Sequence, residues 1–317
     1  MIEAASSENI AKAAELLRRG ELVAFPTETV YGLGANALSA EAVRKIYEAK
    51  GRPSTSPLIV HVASVEMARG LVTEWPVAAA LLAEKFWPGP LTLVLPKAAA
   101  VPDELSAGLP TVGLRWPKHA VAEALIREAG VPLAAPSANR FTELSPTTAQ
   151  HVEAGLGDRV AMVLEGGASE VGIESTVLSL VGGTPRLLRP GMISRQQIEA
   201  VVGPVEVVTA ASGEAHEAPG QHEKHYAPKT RLVVVKGEED LPQKGRGLYL
   251  FRTKASAWIP ARRMPKDPDD YASLLYELLH ELDQQGLQWI AVEAPPAGVA
   301  WDGIRDRLRR ASARVVK

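Results

Sequence analysis

The sequence predicts an α/β protein in two parts, a large alternating region followed by a smaller Rossmann-like one. Three observations carry this. Short apolar runs of strand length alternate with segments of helical period through about residue 205. Residues 209–230 (TAASGEAHEAPGQHEKHYAPKT) then break the pattern with small, polar, Pro and Gly residues, as linkers do. A second, shorter β/α pattern follows. The expected division is residues 1–205, a linker over 206–230, and a C-terminal domain over 231–317.

Each element has a local reason. Ser7 can cap a helix running to about Arg19, which Gly20 ends, and Leu22–Phe25 follows as a buried strand. Ala40–Lys50 has helical period and Gly51 is its stop; Leu58–Val62 is a strand. Pro76–Phe86 reads as a helix ended by Pro-Gly-Pro at 88–90. Strands are expected at Leu91–Leu95, Val112–Trp116, Leu133–Ala135, Val160–Leu164 and Thr176–Val181, with a helix at Lys118–Ala129. Ser194 and Gln197 have capping-box spacing for a helix to about Val202. Beyond the linker, strands at Leu232–Val235, Gly247–Phe251 and Trp289–Val292 join helices at Asp270–Gln285 and Asp302–Ser312.

Composition excludes several classes. The 317 residues are 46% hydrophobic and 23% charged, as in ordinary globular proteins. A formal net charge of −2 argues against a protein that coats nucleic acid. Cysteine is absent, which removes disulfides, thiolate metal sites and thiol catalysis. The start, MIEAASSENIAKAAELL, reads as an acid-bearing amphipathic helix rather than a signal peptide. No apolar run reaches the ~18–20 residues of a membrane span. A cytoplasmic protein is expected.

Two stretches hold most of the chemistry, PTETVYGLGAN (Pro26–Asn36) and KGRPSTSPLIVHV (Lys50–Val62). Lys50 and Arg52 can be solvated charges at a helix C-terminus. Beside the hydroxyls of Ser54, Thr55 and Ser56 they also fit a phosphate, which takes cations and short neutral donors. Gly32-Leu33-Gly34 reads equally as a tight turn or a ligand loop. His61 lies in an apolar strand, where a histidine is more often a core residue, and no partner stands at metal-ligand spacing. Arg115, also in an apolar strand, must be ion-paired internally or face an anionic ligand. No P-loop or Gly-x-Ser-x-Gly elbow occurs, and paired acids for glycoside chemistry are not evident from spacing.

Taken together, PTETVYGLGAN, KGRPSTSPLIVHV, FWPGPLTLVL (Phe86–Leu95), TVGLRWP (Thr111–Pro117), APSAN (Ala135–Asn139), SPTTAQHV (Ser145–Val152), GIESTVLSL (Gly172–Leu180) and LLRPGMIS (Leu187–Ser194) resemble the YrdC-like family. They occur in that family's order. The linker's PG-x4-HY-x-P (Pro219–Pro228) and DRLRRAS (Asp306–Ser312) resemble its two-domain members, the threonylcarbamoyl-AMP synthases. The loop Arg140–Leu144 and the stretch Gln221–Lys224 depart from the family's pattern.

The resemblance implies a twisted open sheet with a concave basic face. It implies condensation of L-threonine, bicarbonate or CO2, and ATP to threonylcarbamoyl-adenylate with release of pyrophosphate, for threonylcarbamoyladenosine in tRNA beside the anticodon. It places Thr29, His61, Arg115, Ala135 (through backbone) and Ser175 around threonine. Around ATP it places Lys50, Arg52, Ser56, Thr111, Ser137, Ser145 and Arg189. Lys50 and Arg52 carry the catalytic charge neutralisation. The linker would fold over the nucleotide as a lid, bringing His225 and Tyr226. Mg²⁺ would come with ATP, bridging its phosphates, with no dedicated protein site; the downstream partner would be the tRNA transfer machinery, with direct nucleic-acid contact weak at most. Two other readings are an RNA-binding module, against which the near-neutral charge argues, and a carbamoyltransferase of related domain type. The latter's relatives carry Cys-rich zinc modules that a cysteine-free chain cannot contain.

Overall fold

The computed structural model describes residues 1–208 and 226–312. The first part is built on one 11-stranded mixed sheet, the second on a four-stranded parallel sheet.

In chain order the first part comprises β1 (Ile2–Ala4), α1 (Ser7–Arg18), β2 (Val23–Phe25), β3 (Gly32–Asn36), α2 (Ala40–Lys50), β4 (Ile59–His61), α3 (Val65–Arg69) and α4 (Val77–Phe86). Then come β5 (Leu91–Pro96), α5 (Asp103–Ser106), β6 (Thr111–Arg115), α6 (Ala120–Ala129), β7 (Leu133–Ala134) and α7 (Ala149–Leu156). β8 (Met162–Glu165), β9 (Thr176–Ser179), β10 (Arg186–Arg189), α8 (Arg195–Val202) and β11 (Glu206–Val207) complete it. The sheet order is β1-β8-β2-β3-β7-β4-β6-β5-β9-β10-β11. The second part comprises β12 (Arg231–Val235), β13 (Gly247–Phe251), β14 (Ala261–Arg263), α9 (Pro268–Asp283), β15 (Trp289–Glu293) and α10 (Asp302–Ala311), with sheet order β12-β15-β13-β14.

Local signals place the helices well. α2 ends where Gly51 turns left-handed at φ 63°, and α8 carries the reciprocal Ser194–Gln197 capping box. The cap of α1 is Ser6, not Ser7: the Ser6 hydroxyl accepts from the Asn9 amide at 3.2 Å. Gly32 and Gly34 do not form a tight turn, and Gly32 lines the small cavity of the candidate active site. Both lie in β3, antiparallel to β2, and a Cβ on Gly34 would stand 2.8 Å from the Phe25 ring. Glycine is required there by a close approach, and its low strand propensity hides β3 from a sequence reading.

The two parts are not separate bodies of core. Val30, Leu144 and Ile173 of the first pack in one buried cluster with Leu250, Tyr271, Leu275 and Ile304 of the second. Two close backbone approaches hold this seam. Gly172, at φ 77°, lies where a Cβ would meet the Ala272 carbonyl of α9 at 2.3 Å. Gly303 of α10 lies against Gly191, where a Cβ would stand 2.9 Å from its backbone. Any side chain at these positions would wedge the seam apart.

Candidate active site

A small cavity of about 40 Å³ lies where several strand ends meet. Its floor comes from β4 and β6. These strands are parallel, with His61 in register with Arg115, so both side chains emerge together. Phe25 packs edge-on against the His61 ring at 6.2 Å. Thr29 comes from the β2–β3 connection, Ala135 and Ser137 from the loop after β7, Ser175 from the residue just before β9, and Arg189 from the end of β10.

The floor is polar, buried and incompletely satisfied. Arg115 meets Glu28 as an ion pair at 2.7 Å, both almost fully buried. Arg115 Nε and Nη2, both Glu28 oxygens and His61 Nδ1 nonetheless lack a well-aligned hydrogen-bond partner. Burial, and then the neighbouring Arg115 charge, push His61 well below its usual value, so it is neutral near pH 7. A neutral imidazole can donate to or accept from a ligand hydroxyl. Of the two readings of Arg115, the internal ion pair is present, and the residue also lines the cavity.

Two more guanidiniums line the cavity. Arg52 is buried and donates to the Ser56 hydroxyl and, at 3.1 Å, to the Pro57 carbonyl. Burial brings it down to about 10, which leaves it charged near neutrality. Arg189 donates from Nε to the Ser175 carbonyl at 3.1 Å, from Nη2 to the Ser175 hydroxyl at 3.2 Å, and from Nη1 to the Tyr226 hydroxyl at 3.4 Å. Ser175 also meets the Thr92 hydroxyl at 2.8 Å. Three arginines and one carboxylate, Glu174, thus line one cavity, an arrangement whose chemistry suits anionic groups.

All five residues assigned to threonine line this cavity, as do Arg52, Ser137, Arg189 and Tyr226 from the nucleotide set. The others stand behind or beside it. Lys50 is buried, and its ammonium donates to the Ser137 and Asn139 carbonyls at 2.5 Å each, so it braces the Ser-Ala-Asn loop. Ser56 holds Arg52, and Ser145 donates to Glu174 at 2.5 Å. Thr111 shares its face of β6 with Arg115, four residues on and therefore about 13 Å along the strand. The Ala135 amide is given to the Ile59 carbonyl at 2.9 Å, so a backbone contact there would use its carbonyl. His225 and Gln221–Lys224 lie outside the described residues. The loop Arg140–Leu144 is tied down near its middle: the Phe141 amide donates to the Lys50 carbonyl at 2.8 Å, and the Ala227 amide to the Thr142 carbonyl at 3.0 Å.

Sequence reasoning passed over four participants. Glu28 and Glu174 lie inside quoted motifs, yet nothing in their spacing marks them. Tyr276 and Arg307 come from the second part and reach Glu174 at 3.3 and 2.6 Å. A larger groove of about 730 Å³ runs between β10 and α10, but it is mostly apolar. Charges along it pair with one another, Arg305 with Asp302 and Arg309 with Asp306. Its third arginine, Arg195, pairs with Glu199, and all three arginines there are at least partly exposed, unlike the buried arginines of the smaller cavity.

Comparison with known proteins agrees with this architecture. The Sua5/YciO/YrdC family model, described as Telomere recombination, matches residues 15–191. A second model, described as Threonylcarbamoyl-AMP synthase, C-terminal domain, matches residues 193–313. The threonylcarbamoyl-AMP synthase of Bacillus subtilis is 43% identical over 97% of this chain and 94% of its own length. That of Pyrococcus abyssi is 39% identical over 96% of this chain and 94% of its own length. The crystal structure of P. abyssi Sua5 complexed with L-threonine superposes with a TM-score of 0.91 at 38% identity, covering 98% of this chain and 96% of that one. The chain belongs to the Sua5/YciO/YrdC family, in its two-domain form.

Proposed function

We propose that this chain is a nucleotidyltransferase that makes threonylcarbamoyl-adenylate from L-threonine, bicarbonate or CO2, and ATP, releasing pyrophosphate. The product would feed threonylcarbamoyladenosine synthesis in tRNA, in the cytoplasm. The observation that carries the reading is the convergence of three arginines, a neutral His61 and the Thr29 and Ser175 hydroxyls on one buried cavity. Relatives named for this activity, similar over nearly the whole chain, support it.

The chemistry needs alignment and charge neutralisation more than a protein nucleophile. The threonine amine adds to the carbon of CO2 and loses a proton, giving an N-carboxylate; from bicarbonate, that proton instead leaves with hydroxide as water. A carboxylate oxygen then attacks the α-phosphorus, and the bond to the bridging oxygen breaks as pyrophosphate departs. Arg115 suits the threonine carboxylate, and His61 suits its hydroxyl. Arg52 and Arg189 neutralise phosphate oxygens, with Ser137 and Tyr226 as neutral donors. Lys50 acts through the loop it braces, keeping Ser137 in place. The cavity is too small for a nucleotide, so ATP extends from it along the sheet face toward Thr111. Mg²⁺ would arrive on the phosphates. Among the described residues no group of three or more acidic or histidine side chains could cage it.

The test follows pyrophosphate and the adenylate with ATP, L-threonine and bicarbonate. Release should depend on threonine. An analogue lacking the hydroxyl, 2-aminobutyrate, should be rejected by about 10⁴-fold, and His61→Ala should erase most of that discrimination. Pyrophosphate release independent of threonine would sink the reading.

A further inference from the structure

Arg307 of α10 has no exposed surface and is the largest fully buried side chain among the described residues. Its Nε donates to Glu174 Oε2 at 2.6 Å and its Nη2 to the Glu174 carbonyl at 3.0 Å. Its Nη1 reaches the Pro190 carbonyl at 2.9 Å and Asp306 Oδ2 at 3.0 Å. The guanidinium also lies over the Tyr226 ring, 5.3 Å from its centre. Glu174 and Tyr226 both line the cavity, whereas Arg307 belongs to the other half of the molecule.

Burying an arginine is costly unless each donor is placed, and apolar residues would hold two domains together as well or better. The placement here is directed at the pocket wall. Glu174 takes the Ser145 hydroxyl on Oε1, and Tyr276 and Arg307 on Oε2. Burial pushes the Glu174 carboxyl up, but Arg307 and then Arg189 outweigh that and hold it below the usual carboxylate range. It is thus an anion standing between two cations, one facing the cavity and one behind it. A carboxylate left without Arg307 would turn to Arg189 and cancel the charge that meets the ligand.

We propose that Arg307 is a positioning residue for nucleotide binding: it draws the Glu174 carboxylate toward the C-terminal domain and backs the Tyr226 ring, leaving Arg189 directed at the triphosphate. This rests on the proposed assignment of the cavity. It gives the C-terminal domain of this chain a role at the site.

The experiment measures Mg·ATP and L-threonine affinity separately, by calorimetry, on the full chain. Arg307→Met should weaken ATP at least tenfold and leave threonine within about twofold. Adding Glu174→Gln should restore most of the ATP affinity, because the stranded charge is gone, and Arg307→Lys should retain more than Met does. A folded Arg307→Met that binds ATP as the wild type does, or loses both ligands in proportion, overturns the proposal. If the Met variant does not fold, Arg307→Lys decides: a threefold or greater loss for ATP alone supports it, and unchanged affinity overturns it. A wild type that binds both ligands but releases no threonine-dependent pyrophosphate overturns the proposed reaction and leaves these binding criteria in force. One that binds neither overturns both.

Discussion

Two buried arginine–glutamate pairs flank the same cavity, and they differ in how completely they are satisfied. Arg307 and Glu174 are saturated: their polar atoms meet serine, tyrosine, backbone carbonyls and a second carboxylate. Arg115 and Glu28 touch at 2.7 Å, yet two nitrogens and both oxygens lack an aligned partner. Saturated buried networks specify a structure, whereas unsatisfied buried polar atoms mark where something else is expected to bind. The contrast separates a pair that supports the site from a pair that meets the ligand.

The largest expected effect tests that separation directly. Arg115→Met should cut kcat/KM for threonine by about 10²-fold or more, through loss of a charged hydrogen bond to the carboxylate. It should also destabilise the fold by about 3–5 kcal/mol, because Glu28 is left buried and unpaired. Arg115→Met combined with Glu28→Gln should regain most of the stability in a denaturant melt but none of the threonine use. Recovery of both would place Arg115 with the supporting pair and erase the contrast.

A smaller effect belongs to the seam. Gly172→Ala places a methyl where the Ala272 carbonyl stands 2.3 Å away, at a left-handed φ of 77°. A loss of about 2–3 kcal/mol is expected. Because Glu174 and Ser175 stand two and three residues on, affinity for both ATP and threonine should fall with it. An unchanged melt would show that the halves dock without this close approach.

The seam also carries a pH dependence. His151 of α7 and His280 of α9 stack at 3.9 Å across it, and His280 Nε2 meets the Ser145 carbonyl at 3.1 Å. Burial, and then His280, hold His151 down at about 4; burial likewise lowers His280. A histidine whose folded pKa is depressed is protonated first in the unfolded chain. Stability is therefore full above the ordinary histidine value and is lost as pH falls from about 6.5 toward 4. Discounted for partial exposure, the loss is about 1–2 kcal/mol, and His151→Phe should flatten that part of the melting profile. The smallest change is Tyr276→Phe, which removes one 3.3 Å bond to Glu174 and should cost about 1 kcal/mol. A saturated network should absorb that loss with little change in turnover.

Much of this was legible in the chain. α2 with its Gly51 stop and α8 with its Ser194–Gln197 box follow from residues within one helical turn of each other. The motifs held every residue assigned to threonine. What stayed hidden depends on partners far apart in sequence. β3 is obscured by glycines that exist because Phe25 lies against them. Lys50, read as a phosphate cation, is turned inward by carbonyls of a loop 87 and 89 positions away. Arg307 looks like one of several charges on a basic helix until Glu174, 133 positions earlier, is brought against it.

The sequence by itself determined the α/β alternation, the helix ends and the chemical types available to the site, because periodicity, capping and side-chain chemistry are local properties. Only the tertiary structure decided which cations face the cavity and which are used up behind it. That depends on sheet register and on the docking of α9 and α10, where burial makes each charge find a partner before it can serve a ligand.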